Sequence, residues 1–122
     1  MNISEAAKKT NVTTTTIRYY EKMGLIPEVK RESGNRVFTD YDLGWIEFIK
    51  CMRSAGLPIE SLARYTALYF EGEETLYERR SILQNEQQKL IDKQKELKNT
   101  IERLDGKIDN YDDYISDYEQ NI

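Results

Sequence analysis

Arg18, Tyr19 and Lys22, with Thr15 and Thr16 just before them, are the residues whose types and spacing most directly imply chemistry. At separations of three and four, Thr15, Arg18, Tyr19 and Lys22 fall on one side of a helix. A guanidinium, a phenol, an ammonium and hydroxyls there would offer charge and donors to phosphate oxygens and base edges, the chemistry of nucleic-acid recognition. The second reactive group is Cys51, the one cysteine in the chain. It reads two ways: a small packing residue beside Ile49 and Met52, or a thiol activated by Lys50 and Arg53 next to it in sequence. Hydrolytic and metal chemistry have little to draw on. With no histidine, a zinc site or a histidine-based triad lacks its ligands or base, and one cysteine excludes an intramolecular disulfide framework. No catalytic residue, metal ligand or cofactor is assigned, and the chain is not read as an enzyme.

The elements that must position these groups are legible from local signals. In TTTTIRYYEKMGL, residues 13 to 25, Thr13 caps a helix and Val12 with Ile17 makes a hydrophobic staple. Gly24 and Pro27 stop it, so the helix runs from about Thr14 to Met23. Ile17 and Tyr20 point the other way, into a core. Upstream, ISEAAKKT predicts a shorter helix with Ser4 as its cap and Ile3 and Ala7 as its apolar side. Thr10 to Val12 turn the chain, giving a helix-turn-helix. The next stretch, EVKRESGNRVF, reads as a β-hairpin turning at Ser33-Gly34-Asn35. Its arms carry Lys30, Arg31 and Arg36, a basic wing. Lys30 and Arg36 join the DNA-facing set, with Arg36, beside the turn, the principal member.

Two further helices follow. Thr39 with Asp42 resembles a capping box, and Leu43, Ile46, Phe48, Ile49 and Met52, with Trp45, supply a core until Gly56. Pro58 suits the first turn of a fourth helix with a broad apolar surface, Ile59 to Phe70, broken at Glu71-Gly72. From Thr75, which with Glu78 forms a second capping box, a heptad repeat begins. Leu76, Leu83, Leu90, Leu97 and Leu104 recur every seven residues, continued by Tyr111 and Tyr118. Gln87, Gln94, Ile101, Ile108 and Ile115 form the companion column. Gly106 falls outside the seam. Such a helix needs a partner, and a second copy of the chain is the simplest, so Leu83, Leu90, Leu97, Ile101, Leu104 and Ile108 are the expected dimerisation residues.

Charge divides the same way. Residues 1 to 70 carry +2 and residues 71 to 122 carry −6, within a net −4. Cationic surface is thus concentrated where phosphate would be met, while residues 109 to 122 contain no cation. The expected domains are 1–72, a winged-helix DNA-binding domain, and 73–122, a coiled-coil helix with an acidic tail. No apolar stretch suits a membrane span and no signal peptide is visible, so a cytoplasmic protein with no membrane partner is expected.

These segments together resemble one family. TIRYYEKMGLIP, the wing GNRVF, DYDL, CMRSAGLPIESL and the final leucine repeat are similar, in order and spacing, to the MerR family of bacterial transcription regulators. The resemblance implies a mainly α chain: a winged helix-turn-helix domain with a small β-hairpin wing, then a long dimerisation helix pairing as an antiparallel coiled coil. It also implies a homodimer on double-stranded, pseudo-palindromic promoter DNA, distorting the spacer for RNA polymerase on the same promoter. Arg18 and Tyr19 match the DNA-contacting pair of the recognition helix, and Arg36 the wing arginine. Asn35 stands where an aromatic is usual and Phe38 where a tyrosine is common, so a hydroxyl contact to phosphate is not carried over. Paired-cysteine metal sites and a drug-binding domain are not carried over either. One subgroup, which responds to aldehyde and thiol stress, has a lone cysteine in this stretch. For that subgroup the resemblance implies a small electrophile such as formaldehyde or methylglyoxal, or an oxidant, acting at Cys51. Two other readings stay open: an architectural or excisionase-like DNA-bending protein, and a coiled-coil adaptor that binds no DNA.

Overall fold

The computed structural model describes residues 1–120, so the last two residues of the acidic tail lie outside the described residues. Among the described residues, five α-helices and one two-stranded hairpin make up the fold: α1 Ile3–Thr10, α2 Thr14–Lys22, β1 Arg31–Glu32, β2 Asn35–Arg36, α3 Asp40–Ser54, α4 Ile59–Glu71 and α5 Leu76–Gln120. A 3-10 turn, Glu73–Thr75, leads into α5. The chain divides into two compact units, Met1–Gln84 and Asn85–Ile122.

In the first unit the core is built from Ala6, Ile17, Leu25, Phe38, Ile46, Ile49 and Leu62, all buried. Burial of the Tyr20 ring pushes its phenol pKa up, and Arg53 opposes this in part. The helix ends show why the pieces start and stop where they do. Asn2, not Ser4, caps α1, because its side chain accepts from Glu5 N while the Glu5 carboxylate returns to Asn2 N. Thr39 and Asp42 form the expected capping box on α3. Pro58 stands one place earlier than expected, as the N-cap of α4. The box expected from Thr75 and Glu78 does not form. Thr75 is buried in the 3-10 turn, its hydroxyl 2.7 Å from both Leu68 O and Gly72 O, and it accepts from Arg79 Nε at 3.0 Å.

Those bonds explain why the compact first unit continues to Gln84, past the boundary expected at residue 72. The first turns of α5 are bonded back to α4, and the Arg79 guanidinium lies 5.2 Å from the centre of the Tyr69 ring. Tyr69 also meets Trp45 edge to face at 5.2 Å, and Trp45 meets Phe48 at 6.3 Å, so α3 and α4 share an aromatic cluster.

The second unit is helical throughout Asn85–Gln120. Gly106 lies within α5 without interrupting it. At 1.5 Å per residue, the 45 residues of α5 amount to roughly 67 Å of helix. Leu97, Ile101, Leu104, Ile108, Tyr111, Ile115 and Tyr118 are all more than half exposed. An unbroken apolar row left in water on one helix is the pattern of an unsatisfied coiled-coil seam.

Candidate nucleic-acid interface

The two first helices meet at a tight turn held by backbone hydrogen bonds. Asn11 takes the left-handed conformation (φ 55°) and donates to Ala7 O, a geometry asparagine tolerates. From α3, Lys50 Nζ donates to Thr10 O at 3.0 Å, fixing the turn to the rest of the unit. Thr13 then caps α2, its hydroxyl oxygen accepting from Thr16 N at 3.1 Å. Val12 and Ile17, the staple pair, are both buried. At the other end Gly24, at φ 71°, donates to Glu21 O while Leu25 N donates to Tyr20 O, a Schellman closure that requires the left-handed residue glycine supplies. The buried hydroxyl of Thr66 holds the following turn from α4, 2.7 Å from Leu25 O.

Clamped at both ends, α2 turns Ile17 and Tyr20 inward and leaves Thr15, Arg18, Tyr19 and Lys22 exposed together. The shared polar side expected from their spacing is thus open to solvent. Thr16 differs from the rest of the expected set. It is half-buried and its hydroxyl accepts from Thr13 Oγ1 at 2.8 Å, so part of its polarity serves the cap.

The hairpin is smaller than the expected span of residues 28 to 38. Two cross-strand pairs make it, Arg31 opposite Arg36 and Glu32 opposite Asn35, so Asn35 belongs to a strand rather than the turn. Ser33 and Gly34, both at positive φ (51° and 81°), form a two-residue turn of the primed kind that suits strand twist. Val37 N donates to Lys30 O at 2.8 Å. Phe38 is buried; its N–H donates to Met1 O and its carbonyl accepts from the Met1 amino group. Lys30 is exposed and 3.8 Å from Glu32. Arg36 is not: its side chain is 21% exposed and its Nε donates to Glu21 Oε1 at 2.9 Å.

Residues 1–68, which hold both helices, the hairpin and α3, match the model of the MerR HTH family of regulatory proteins. The chain belongs to the MerR family. Among its relatives, the HTH-type transcriptional regulator AdhR of Bacillus subtilis (strain 168) is 54% identical over 93 residues, which cover 75% of this chain and 66% of AdhR. An HTH-type transcriptional regulator of Haemophilus influenzae is 37% identical over 68% of this chain, and the match spans 62% of that protein. The chain thus spans just under two thirds of the length of these relatives. Among solved structures, the crystal structure of HiNmlR, a MerR family regulator lacking the sensor domain, bound to promoter DNA, superposes with TM-score 0.80. It is 32% identical, covering 90% of this chain and 88% of that one. A MerR family chain from Listeria monocytogenes superposes at TM-score 0.88 with 47% identity, over 92% of this chain and 86% of its own. The fold of this family, a helix-turn-helix with a β-hairpin and a long C-terminal helix, is the one described above.

Cys51 is exposed, which overturns the packing reading: its Sγ is on the outer side of α3. It borders a surface hollow of about 490 Å³ walled by Lys9, Thr10 and Asn11 at the end of α1 and by Glu47, Lys50 and Ser54 on α3. The cations beside it in sequence are directed elsewhere, Lys50 to Thr10 O and Arg53 Nη1 to Leu57 O at 2.7 Å.

Glu21 is the residue that sequence reasoning passed over. One of its oxygens takes Arg36; the other accepts from Val29 N at 2.7 Å. The available signal was its position one helical turn after Ile17, on the inward stripe, where an acid needs a cation to meet it.

Proposed function

We propose that this chain is a transcriptional regulator that binds promoter DNA as a homodimer, reading it with α2 and steadying it with the hairpin. The observation that carries this is the exposed face Thr15, Arg18, Tyr19 and Lys22 on a helix capped at both ends and anchored inward by Ile17 and Tyr20. Such a face suits a major groove, with Lys30 and the remaining wing cations close to the flanking backbone. Likeness to a relative bound to promoter DNA supports the same mode. The apolar row of α5 provides the self-association, through Leu83, Leu90, Leu97, Ile101, Leu104 and Ile108. Direction follows from charge. Residues 76 to 98 carry +2 and residues 99 to 122 carry −5, so an antiparallel pair sets opposite charges side by side where a parallel pair would set two acidic ends together. Two winged helices fixed in this way fit a pseudo-palindromic site, where bending the spacer realigns the elements read by RNA polymerase. An adaptor that binds only protein would show no DNA affinity at any salt concentration. Retaining random genomic fragments on the purified chain and sequencing them tests the reading. A shared inverted repeat lying between promoter elements is expected, and no enrichment would refute it.

Regulation enters through Cys51. In this reading Sγ adds to the carbonyl carbon of an aldehyde such as formaldehyde or methylglyoxal, the thiol proton passing to the carbonyl oxygen. An oxidant acts at the same sulfur. Exposure of the thiol and the hollow beside the end of α1 support it, since an adduct there would press on the helix-turn-helix. Promoter output with and without aldehyde, in wild type and Cys51→Ala, checks this. The alanine chain is expected to bind DNA and ignore the aldehyde; a full response from it removes Cys51 as the sensor.

A further inference from the structure

We infer that Glu21 and Arg36 form a pivot setting the pitch of the hairpin against α2, and that Arg31, rather than Arg36, is the wing cation that meets the DNA backbone. The inference rests on the DNA-binding reading above. Three observations support it.

One carboxylate holds both arms of the wing. Glu21 Oε2 takes the N–H of Val29, just before β1, and Oε1 takes Arg36 in β2. The two side chains are only 12% and 21% exposed, so this charge-assisted bond is little screened by salt. Arg36 spends its Nε on that bond.

Register adds a reason for the acid. Arg31 and Arg36 stand directly opposite each other, so both side chains leave the same face of the ribbon. Like charges facing across strands destabilise the pair, and Glu21 neutralises one of them. Arg31 is exposed and donates from Nη1 to Gly34 O at 3.3 Å.

Size completes the argument. Two residue pairs are too few for a hairpin to hold its own orientation; Phe38, bonded both ways to Met1, fixes its base, and Glu21 ties its two arms to α2. Glu21 and Arg36 are therefore positioning residues. Arg31 is the contact they position.

The sign of one substitution separates this from a direct phosphate contact by Arg36. Glu21→Gln removes a negative charge beside DNA and keeps a side-chain oxygen for Val29 N–H. If Arg36 contacts phosphate, Glu21→Gln leaves affinity equal or raises it; if the pair is a pivot, affinity falls about tenfold. Binding is measured over a salt series to a duplex selected from random-sequence DNA by the wild-type protein, with calorimetric melting of each variant to establish folding. Glu21→Gln and Arg36→Ala are each expected to weaken binding, and the double variant to be no weaker than the worse single. Arg31→Ala, at an exposed site, is expected to make the slope of log K against log salt shallower by about 0.9. Tighter or equal binding by Glu21→Gln, additive losses in the double variant, or an unchanged slope for Arg31→Ala would each overturn the inference. Selection of no duplex by wild type would instead refute the DNA-binding reading on which it stands.

Discussion

Leu97→Glu combined with Leu104→Glu is expected to convert the proposed dimer to a monomer. Light scattering of the purified chain should show the mass halved. Both leucines lie in the row of α5 that is open to water in one copy, at 63% and 55% exposure, so a partner is what would bury them. Burying a leucine contributes about 2 kcal/mol, and four are buried per dimer, roughly 8 kcal/mol in all. That equals the whole of a micromolar association, about 8 kcal/mol, before any repulsion among four new carboxylates is added. The first unit has its own core and should keep its fold in the variant. DNA binding should weaken steeply at the same time, because two half-sites would no longer be engaged by one molecule. A variant that stays dimeric would remove this row as the interface.

Arg18→Ala is expected to cost roughly 1 to 3 kcal/mol in DNA affinity, about 5- to 150-fold. The site is exposed and its neighbours Ile17 and Tyr20 carry the packing, so the fold should not change. A titration over salt then assigns the contact. Loss of a phosphate contact makes the salt slope shallower by about 0.9; loss of a base contact leaves the slope and relaxes preference at one position of the site. Wild-type affinity in this variant would mean that α2 is not the recognition helix.

What could be read from the sequence was what local chemistry decides. Thr13, Val12 with Ile17, and Gly24 each act within one helical turn, and the observed α2 has the expected cap, staple and stop. The same holds for Thr39 with Asp42 and for Asn11 at the turn. Where several local solutions compete, position in the folded chain decides. Ser4 and Asn2 are both fair caps, and the helix starts two residues earlier, where it uses Asn2. Thr75 has the right spacing to Glu78, yet a buried hydroxyl is satisfied first, by Leu68 O and Gly72 O. Long-range pairs were beyond reach. Thr66 to Leu25 O and Glu21 to Arg36 join residues far apart in sequence, and nothing in either neighbourhood specifies the mate. Arg36 stands beside the turn and so reads as the principal cation of the wing, with nothing nearby in sequence to show that Glu21 holds it. Of the two readings of Cys51, the packing one rests on its apolar neighbours, but Ile49 is buried and Cys51 faces out, because two residues along a helix is more than half a turn.

The placement of Trp45 gives the chain an optical division of labour. It is the only tryptophan, and its ring lies against Phe48, Tyr65 and Tyr69 inside the first unit. Its emission therefore reports the packing of α3 on α4 alone, whereas far-ultraviolet circular dichroism also follows α5, whose 45 residues are half of the α-helical residues described. For the proposed dimer, the two signals followed through one denaturation should separate melting of the coil, whose midpoint would move with protein concentration, from melting of the first unit, whose midpoint would not.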